Sequence, residues 1–218
     1  MSRFFSFAPA KIQSLGRLVS LRDYEAEAAQ VAGVASVAAA WKPIENIPAI
    51  VLTVLAETGR SGELAAIEDV LSNYNIARGA NTHSIFVVAG KRLYVRVAVQ
   101  YALDATYRAD VVEPEIKRAL GVNYGLATNK EDSSGLFSLR QRRFGGREYA
   151  SSIEGAVQNV AGVIWAKATV FSALSDSDEP DSIALPTTEV LNPIITCDDG
   201  HVLSLYDKHL TLTQVSTE

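Results

Sequence analysis

Cysteine is almost absent from this chain of 218 residues. Cys197 stands alone, so no disulfide can form within the chain and no zinc site can be built from several cysteines. An excess of positive charge is also missing, because 20 Lys and Arg residues face 25 Asp and Glu residues and the net charge is −5. This balance disfavours nucleic acid as a partner, since the phosphate backbone is bound by broad basic surfaces.

Long apolar runs are missing as well. No stretch approaches the roughly 18 consecutive apolar residues that would span a bilayer. The apolar part of residues 1–9 is too short for a signal peptide, and Lys11 and Arg17 follow soon after it. The sequence therefore predicts no membrane contact, and the single cysteine fits a reducing compartment.

Recognisable catalytic motifs are absent too. The chain has no G-x-S-x-G, P-loop or G-x-G-x-x-G sequence, and His83, His201 and His209 lack metal-ligand spacing. The densest group of metal-ligating residues is Cys-Asp-Asp-Gly-His at 197–201, but Asp-Asp-Gly before a strand is first of all a turn signal. We predict a protein that is not an enzyme and that has no cofactor or metal. A hydrolase using the acidic and histidine side chains of 197–201 remains as an alternative.

What the chain does have is a short repeat. Residues 31–34 and 160–163 are both Val-Ala-Gly-Val, 129 positions apart, and each copy follows an amphipathic run and precedes a β-prone one. Gly33 and Gly162 stand where a helix would end, at the position that favours a left-handed backbone. The repeated unit is predicted to be a helix, a glycine stop and a strand.

The start of each predicted helix also repeats. Ser20 and Asp23 have the spacing of a capping box, in which each side chain bonds the backbone N–H of the other residue. Ser151 and Glu154 show the same spacing before the second copy. We therefore predict a structural role for these four residues, as for the two glycines.

The order of helical and strand patterns predicts an α+β fold. It consists of two small α/β lobes related by the helix–glycine–strand repeat, with mixed or antiparallel sheets. Residues 202–205 and 210–213, joined by Tyr-Asp-Lys-His, predict a C-terminal β-hairpin. The predicted segments are an extended lead-in at 1–19, a first lobe at 20–104, and a second lobe at 105–218 that contains a loop at 121–148 and an acidic linker at 175–186.

A basic cluster interrupts this acidic chain. Arg140, Arg142, Arg143 and Arg147 surround Gly145-Gly146 in the predicted loop. They could form an ordinary exposed loop, or they could engage phosphate or carboxylates through bidentate hydrogen bonds. We interpret them as a docking segment for another protein.

An ordered series of segments resembles the J-like baseplate proteins of contractile phage tails and related injection systems. The segments are APA at 8–10, LGRLVSLRDYE at 15–25, AGVA at 32–35, FG at 144–145, SSI at 151–153 and VAGV at 160–163. The segments LSL at 203–205 and LTL at 210–212 are similar to the end of these proteins. Ala161 replaces their usual proline. Because members of the family are usually longer, the chain resembles their C-terminal region alone.

The resemblance implies a structural subunit of a baseplate wedge, which joins neighbouring subunits into a ring and catalyses no reaction. Its implied partners are other wedge proteins and further copies of itself or related chains. A small-ligand-binding or regulatory α/β domain is the alternative, which a large apolar pocket with converging polar groups would favour.

Overall fold

The computed structural model describes residue 18 and residues 20–57, 64–77, 84–124, 134–177 and 179–216. It confirms the α+β class and divides the chain into two units, residues 1–90 and 91–218. The predicted lead-in at 1–19 falls outside the described residues except for Leu18, which is buried. Within these ranges, no helix has the length and apolar character to cross a membrane.

The first unit is a three-stranded sheet with helices before and between its strands. Its elements are α1 (Leu21–Ala28), β1 (Val34–Ile44), β2 (Ile47–Ala56), α2 (Leu64–Ala77) and β3 (Ser84–Ala89). The strand order is β1-β2-β3, with β1 antiparallel and β3 parallel to the central strand β2. Tyr24 and Ala28 of α1 pack with Ile50, Leu52 and Val54 of β2, so alternate residues of the central strand form the core.

The second unit has a three-stranded sheet with the same arrangement. Its elements are β4 (Lys91–Leu103), α3 (Ala109–Leu120), β5 (Arg147–Tyr149), α4 (Ala150–Gln158), β6 (Val163–Asp176), β7 (Ile194–Thr196) and β8 (His201–Gln214). The strand order is β6-β4-β8, with β6 antiparallel and β8 parallel to β4. One face of this sheet packs against α3 and α4 through Ile116, Leu120, Ile153 and Val157, which are all fully buried.

The division between the units differs from the sequence interpretation. The sequence predicts that residues 91–104 belong to the first lobe, but β4 pairs with β6 and β8 and is the central strand of the second unit. Only Gly90 separates β3 from β4. In a sequence, a single glycine between two strands has the pattern of a tight turn within one sheet. The boundary between the units is therefore visible only from which strands pair, and not from local composition.

The predicted C-terminal hairpin is wrong. Residues 202–205 and 210–213 belong to one strand, β8, and pair with β4 in the same parallel direction. The register moves from Val95 opposite Leu205 to Val97 opposite Leu210, so the Tyr-Asp-Lys-His segment is a bulge. Asn123 pairs with this bulge, donating its N–H to Leu205 O at 2.8 Å and accepting from Asp207 N at 2.9 Å. The turn-forming residues of this segment therefore form a bulge within one strand and do not reverse the chain direction.

The predicted loop at 121–148 and linker at 175–186 are only partly irregular. Residues 125–133 of the loop lie outside the described residues, while its end forms turns that lead into β5. In the linker, Pro180–Ser182 form one 3₁₀ turn, and Pro180 is buried. The Asp181 carboxylate accepts a hydrogen bond from Tyr206 Oη at 2.8 Å and pairs with Lys208. The acidic segment is therefore attached to the bulge of β8.

Candidate functional site

The first helix–glycine–strand module begins with the predicted capping box. Asp23 N donates to Ser20 Oγ at 3.3 Å, and Ser20 N donates to Asp23 Oδ2 at 2.8 Å. Two backbone donors at the start of α1 are thereby satisfied by side chains. The box fixes the residue at which the helix begins, and it does so through local contacts alone.

The capping box predicted for the second module is wrong. The N-cap of α4 is Tyr149, which makes no side-chain cap, and Ser151 lies inside the helix. The chain enters α4 directly from β5, so the extended residue before the helix is the last residue of a strand. Ala150 N donates to Pro193 O at 3.1 Å, so the first N–H of the helix bonds the backbone of the residue just before β7.

In each module the helix instead carries a glutamate whose side chain accepts a hydrogen bond from the backbone of the strand in the same module. Glu25 Oε1 accepts from Ala39 N at 2.9 Å, and Glu154 Oε1 accepts from Ala168 N at 3.0 Å. Both contacts span 14 residues, and both glutamates stand eight residues before the module's glycine. β1 and β6 are edge strands of their sheets. The carboxylate thus satisfies a strand N–H that the central strand does not reach.

The two glycines have nearly the same φ, and their carbonyl oxygens accept hydrogen bonds from equivalent positions in the two units. Gly33 has φ of 92° and Gly162 has φ of 93°, which confirms the predicted positive φ. The prediction that they end the helices is wrong, because the C-caps of α1 and α4 are Ala29 and Asn159, both in the right-handed conformation. Gly33 O accepts from Glu57 N at 2.7 Å, and Gly162 O accepts from Asp104 N at 2.9 Å. Glu57 and Asp104 each follow the last residue of the central strand. Each module is therefore attached at its glycine to the end of β2 or β4.

One of the four arginines of the basic cluster is not on the surface. The Arg142 side chain is only 8% exposed and forms an ion pair with the equally buried Glu148. Its Nε donates to Leu136 O at 2.6 Å, and its guanidinium lies 4.9 Å from the centre of the Phe137 ring. Burial lowers the pKa of Arg142 to about 10, so it remains charged at neutral pH. The prediction that Arg142 contacts a partner is therefore replaced by a structural role.

The other three arginines are exposed. Arg140 and Arg143 lie in turns that lead into β5, and Arg147 is the first residue of that strand. The Arg147 guanidinium lies 5.8 Å from the centre of the exposed Tyr149 ring. Their contact with a partner remains a prediction.

A surface that sequence reasoning missed lies beside these arginines. β5 and β7 pair antiparallel as a two-stranded ribbon, with Tyr149 opposite Ile194 and Glu148 opposite Ile195. Glu148 and Ile195 are buried, so the alternate residues, among them Tyr149 and Ile194, are exposed. Arg-Glu-Tyr and Ile-Ile-Thr show the alternation only over three residues each, which is too short to identify a strand in the sequence.

The acidic and histidine residues of 197–201 form a turn. His201 N donates to Asp198 O at 2.8 Å, and burial raises the pKa of the Cys197 thiol, whose sulfur lies 3.1 Å from Gly146 O. His201 Nε2 is 3.6 Å from Asp176 Oδ2, a carboxylate that Lys91 approaches to 2.7 Å. In the part of the chain that the structure describes, no three His, Cys, Asp or Glu side chains come together as metal ligands.

An apolar groove of about 590 Å³ lies in the second unit, between α3 and the end of α4. Tyr107, Val112 and Val160 are among its lining residues. Its charged members, Glu115 and Arg118, pair with each other. Ser134 and Asn159 are the other polar residues of its lining, and most of the remaining lining residues are apolar.

One comparison with known proteins finds a match to a family model within the first unit. Residues 16–88, 73 of the 218 residues, match the family model described as Baseplate J-like central domain. The match begins before α1 and ends in β3, so it includes the first module and the whole of β2. No curated protein matches the chain.

Proposed function

We propose that the chain is a wedge subunit of a contractile tail or a related injection machine, because its residues 16–88 match the family model described as Baseplate J-like central domain. In this role it joins neighbouring subunits into the baseplate ring. Its partners are other wedge proteins and further copies of itself or related chains. Assembly takes place in the cytoplasm, and the protein then resides in the baseplate of the particle. It acts through binding surfaces and not through catalysis.

The family match carries this proposal. It covers an intact structural unit with its own sheet and core, since α1 and the three strands of the first unit lie within or at the limit of the matched residues. The resemblance seen in the sequence extends into the second unit, where the glycine module recurs with the same glutamate contact. Function still belongs to surfaces and not to the fold, so the proposal needs a direct test in particles.

The test is the composition of purified particles. Tail particles from cells that express the chain are isolated by sedimentation, and their proteins are identified by mass spectrometry. We expect the chain to sediment with sheath and tube proteins at a fixed ratio. Deletion of its gene should leave free tubes and sheaths without completed baseplates, and expression from a plasmid should restore them. Intact particles that lack the chain would contradict the proposal.

A further inference from the structure

The two three-stranded sheets of the described chain have four edge strands, which are β1, β3, β6 and β8. Three of these edges already have a polar partner. The carboxylates of Glu25 and Glu154 accept a backbone N–H of β1 and of β6, and the backbone of Asn123 bonds the bulge of β8. Such contacts protect an edge, because they occupy backbone groups that another strand would otherwise bond.

The outer edge of β3 carries no such protection in the part of the chain that the structure describes. No described side chain or loop backbone bonds this edge, and the pairing of β3 with β2 has no bulge. Its sequence, Ser-Ile-Phe-Val-Val-Ala at 84–89, contains no charged residue, proline or glycine. Native proteins usually guard an edge strand with a charge, a proline, a bulge or a covering element. Among these four edges, β3 is therefore the one open to a further strand.

The backbone of β3 directs hydrogen-bonding groups away from its sheet. Gly90 N donates to Val54 O of β2 at 2.8 Å. The N–H and C=O groups of one residue point to the same side of a strand and alternate from residue to residue, so the residues two, four and six positions before Gly90 also bond β2. The groups of the alternate residues point outward, and these residues are Ile85, Val87 and Ala89.

The side chains of β3 divide between the two faces of the sheet. Ile85 and Val87 pack against the core that the sheet forms with α1. Phe86 and Val88 lie on the other face and are 38% and 48% exposed, whereas the β2 residues opposite them are buried. A strand added beside β3 would continue this apolar face and shield both side chains from water.

We propose that this added strand is β3 of a second copy, paired antiparallel about a twofold axis beside Val87. Val87 then lies opposite Val87 of the second copy, and Ile85 lies opposite Ala89. Phe86 lies opposite Val88 of the second copy. The three pairs that the outward residues form exchange two N–H···O bonds each. Every backbone group that β3 directs away from its sheet is thereby bonded.

Two features of β3 favour its own copy over a strand of a different protein. A twofold interface sets the same patch on both partners, so charges in β3 would meet like charges, and β3 has none. The register also brings Phe86 against Val88 twice, and pairs of aromatic and β-branched side chains stabilise antiparallel strands. Because Glu25 occupies the other edge of the sheet at β1, the pairing ends at two copies. The inference rests on the proposed function, which names further copies of the chain as partners, and it assigns them a surface.

Disulfide formation between two single-cysteine chains tests the pairing and its register. Phe86→Cys and Val88→Cys are made separately in a Cys197→Ala background, and the purified full-length chains are mixed and oxidised. Opposite residues of an antiparallel pair lie about 4.5–5.5 Å apart, within reach of a disulfide, whereas each residue and its own copy would lie on a diagonal of about 7–8 Å. We expect the mixture to give several times more disulfide-linked dimer than either chain alone.

Ala38→Cys and Ala40→Cys provide the matched control. They stand two positions apart on the same face of the same sheet, but in β1, whose edge Glu25 occupies. Mixing these two chains should give no more dimer than either gives alone. Equal yields from the mixed and unmixed β3 variants would overturn the proposal.

Sedimentation of the full-length chain over a series of concentrations adds a second readout, in which we expect a monomer–dimer equilibrium. Val88→Glu places a charge against Phe86 of the second copy and should weaken dimerisation roughly tenfold. Ile47→Glu, the same change at a residue of β2 that is 62% exposed, should leave it unchanged, and circular dichroism checks that both variants fold. A monomer at every concentration, an open-ended polymer, or equal effects of the two substitutions would contradict pairing through β3.

The outcomes separate this inference from the proposed function. If the purified chain neither dimerises nor forms the selective disulfide but is present in particles, the β3 inference is wrong and the subunit role stands. If the chain dimerises through β3 but is absent from particles, the subunit role is wrong and the pairing stands.

Discussion

Replacing Gly162 by alanine tests whether the glycine of the second module is required by geometry. At φ of +93° an L-residue is strained, and a Cβ built at this position would lie 2.4 Å from Cγ and Cδ1 of Tyr107. The same change at Gly155, in the middle of α4, brings the new Cβ within 4 Å of nothing. Gly155→Ala is therefore a matched control for the chemical change alone.

The expected cost follows from two contributions. A left-handed conformation costs an alanine about 1–2 kcal/mol. Relieving the clash requires the Tyr107 ring to swing away, and because the residue is 46% exposed it can do so at the loss of about 1 kcal/mol of packing. We therefore expect Gly162→Ala to destabilise the second unit by about 2–3 kcal/mol. Gly155→Ala should stabilise the same unit by about 0.5–1 kcal/mol, because alanine favours the helix.

Urea unfolding followed by tryptophan fluorescence measures both effects. The chain has two tryptophans, Trp41 in β1 and Trp165 in β6, so a Trp41→Phe background reports on the second unit. Adding Tyr107→Ala should remove the two closest contacts, those with Cγ and Cδ1, and leave the backbone strain of Gly162→Ala together with the 3.0 Å contact to Cβ of residue 107. The reasoning is refuted if Gly162→Ala leaves the unfolding midpoint unchanged, or if Gly155→Ala destabilises the unit as much as Gly162→Ala does.

Three further predictions concern buried or part-buried polar groups. Glu148→Gln should destabilise the second unit by about 3 kcal/mol in urea unfolding, because Arg142 keeps a buried charge; Leu at both positions should recover part of the loss. Glu154→Ala should cost about 1 kcal/mol and speed hydrogen exchange at Ala168, while Glu154→Gln, which keeps an acceptor, should lose less. Burial lowers the pKa of His209, so the unfolded chain binds a proton at higher pH than the folded one; stability should fall as pH drops below about 6.5, and a His209→Gln chain should show a shallower fall.

Local signals in the sequence predicted local structure well. The capping box at Ser20 and Asp23 and the positive φ of Gly33 and Gly162 depend on residues a few positions apart, so their patterns can be recognised without knowing the fold. Ser151 shows where this reasoning fails. It has the spacing of a cap, but β5 and its partner β7 determine where α4 begins.

Most of the candidate site depends on contacts between distant segments. Arg142 has the same sequence context as Arg143, and only Glu148 and the ring of Phe137 make it a buried residue. Tyr149 and Ile194 meet across 45 residues through a ribbon with three residues in each strand. Neither strand has a detectable period, so composition could identify the basic segment but not the apolar surface beside it.

The two units also explain why the repeat is so short in sequence. Both contain a central strand, a helix and a parallel strand in that chain order, which are β2, α2 and β3 in one unit and β4, α3 and β8 in the other. The glycine module precedes the central strand in the first unit, but in the second it lies between α3 and β8. Its antiparallel strand nevertheless pairs with the central strand in both, and its glycine accepts the same backbone bond. A sequence alignment, which follows chain order, cannot match the two units along their whole length. The sequence similarity is therefore limited to what the module itself requires, which is Val-Ala-Gly-Val and the glutamate eight residues before its glycine.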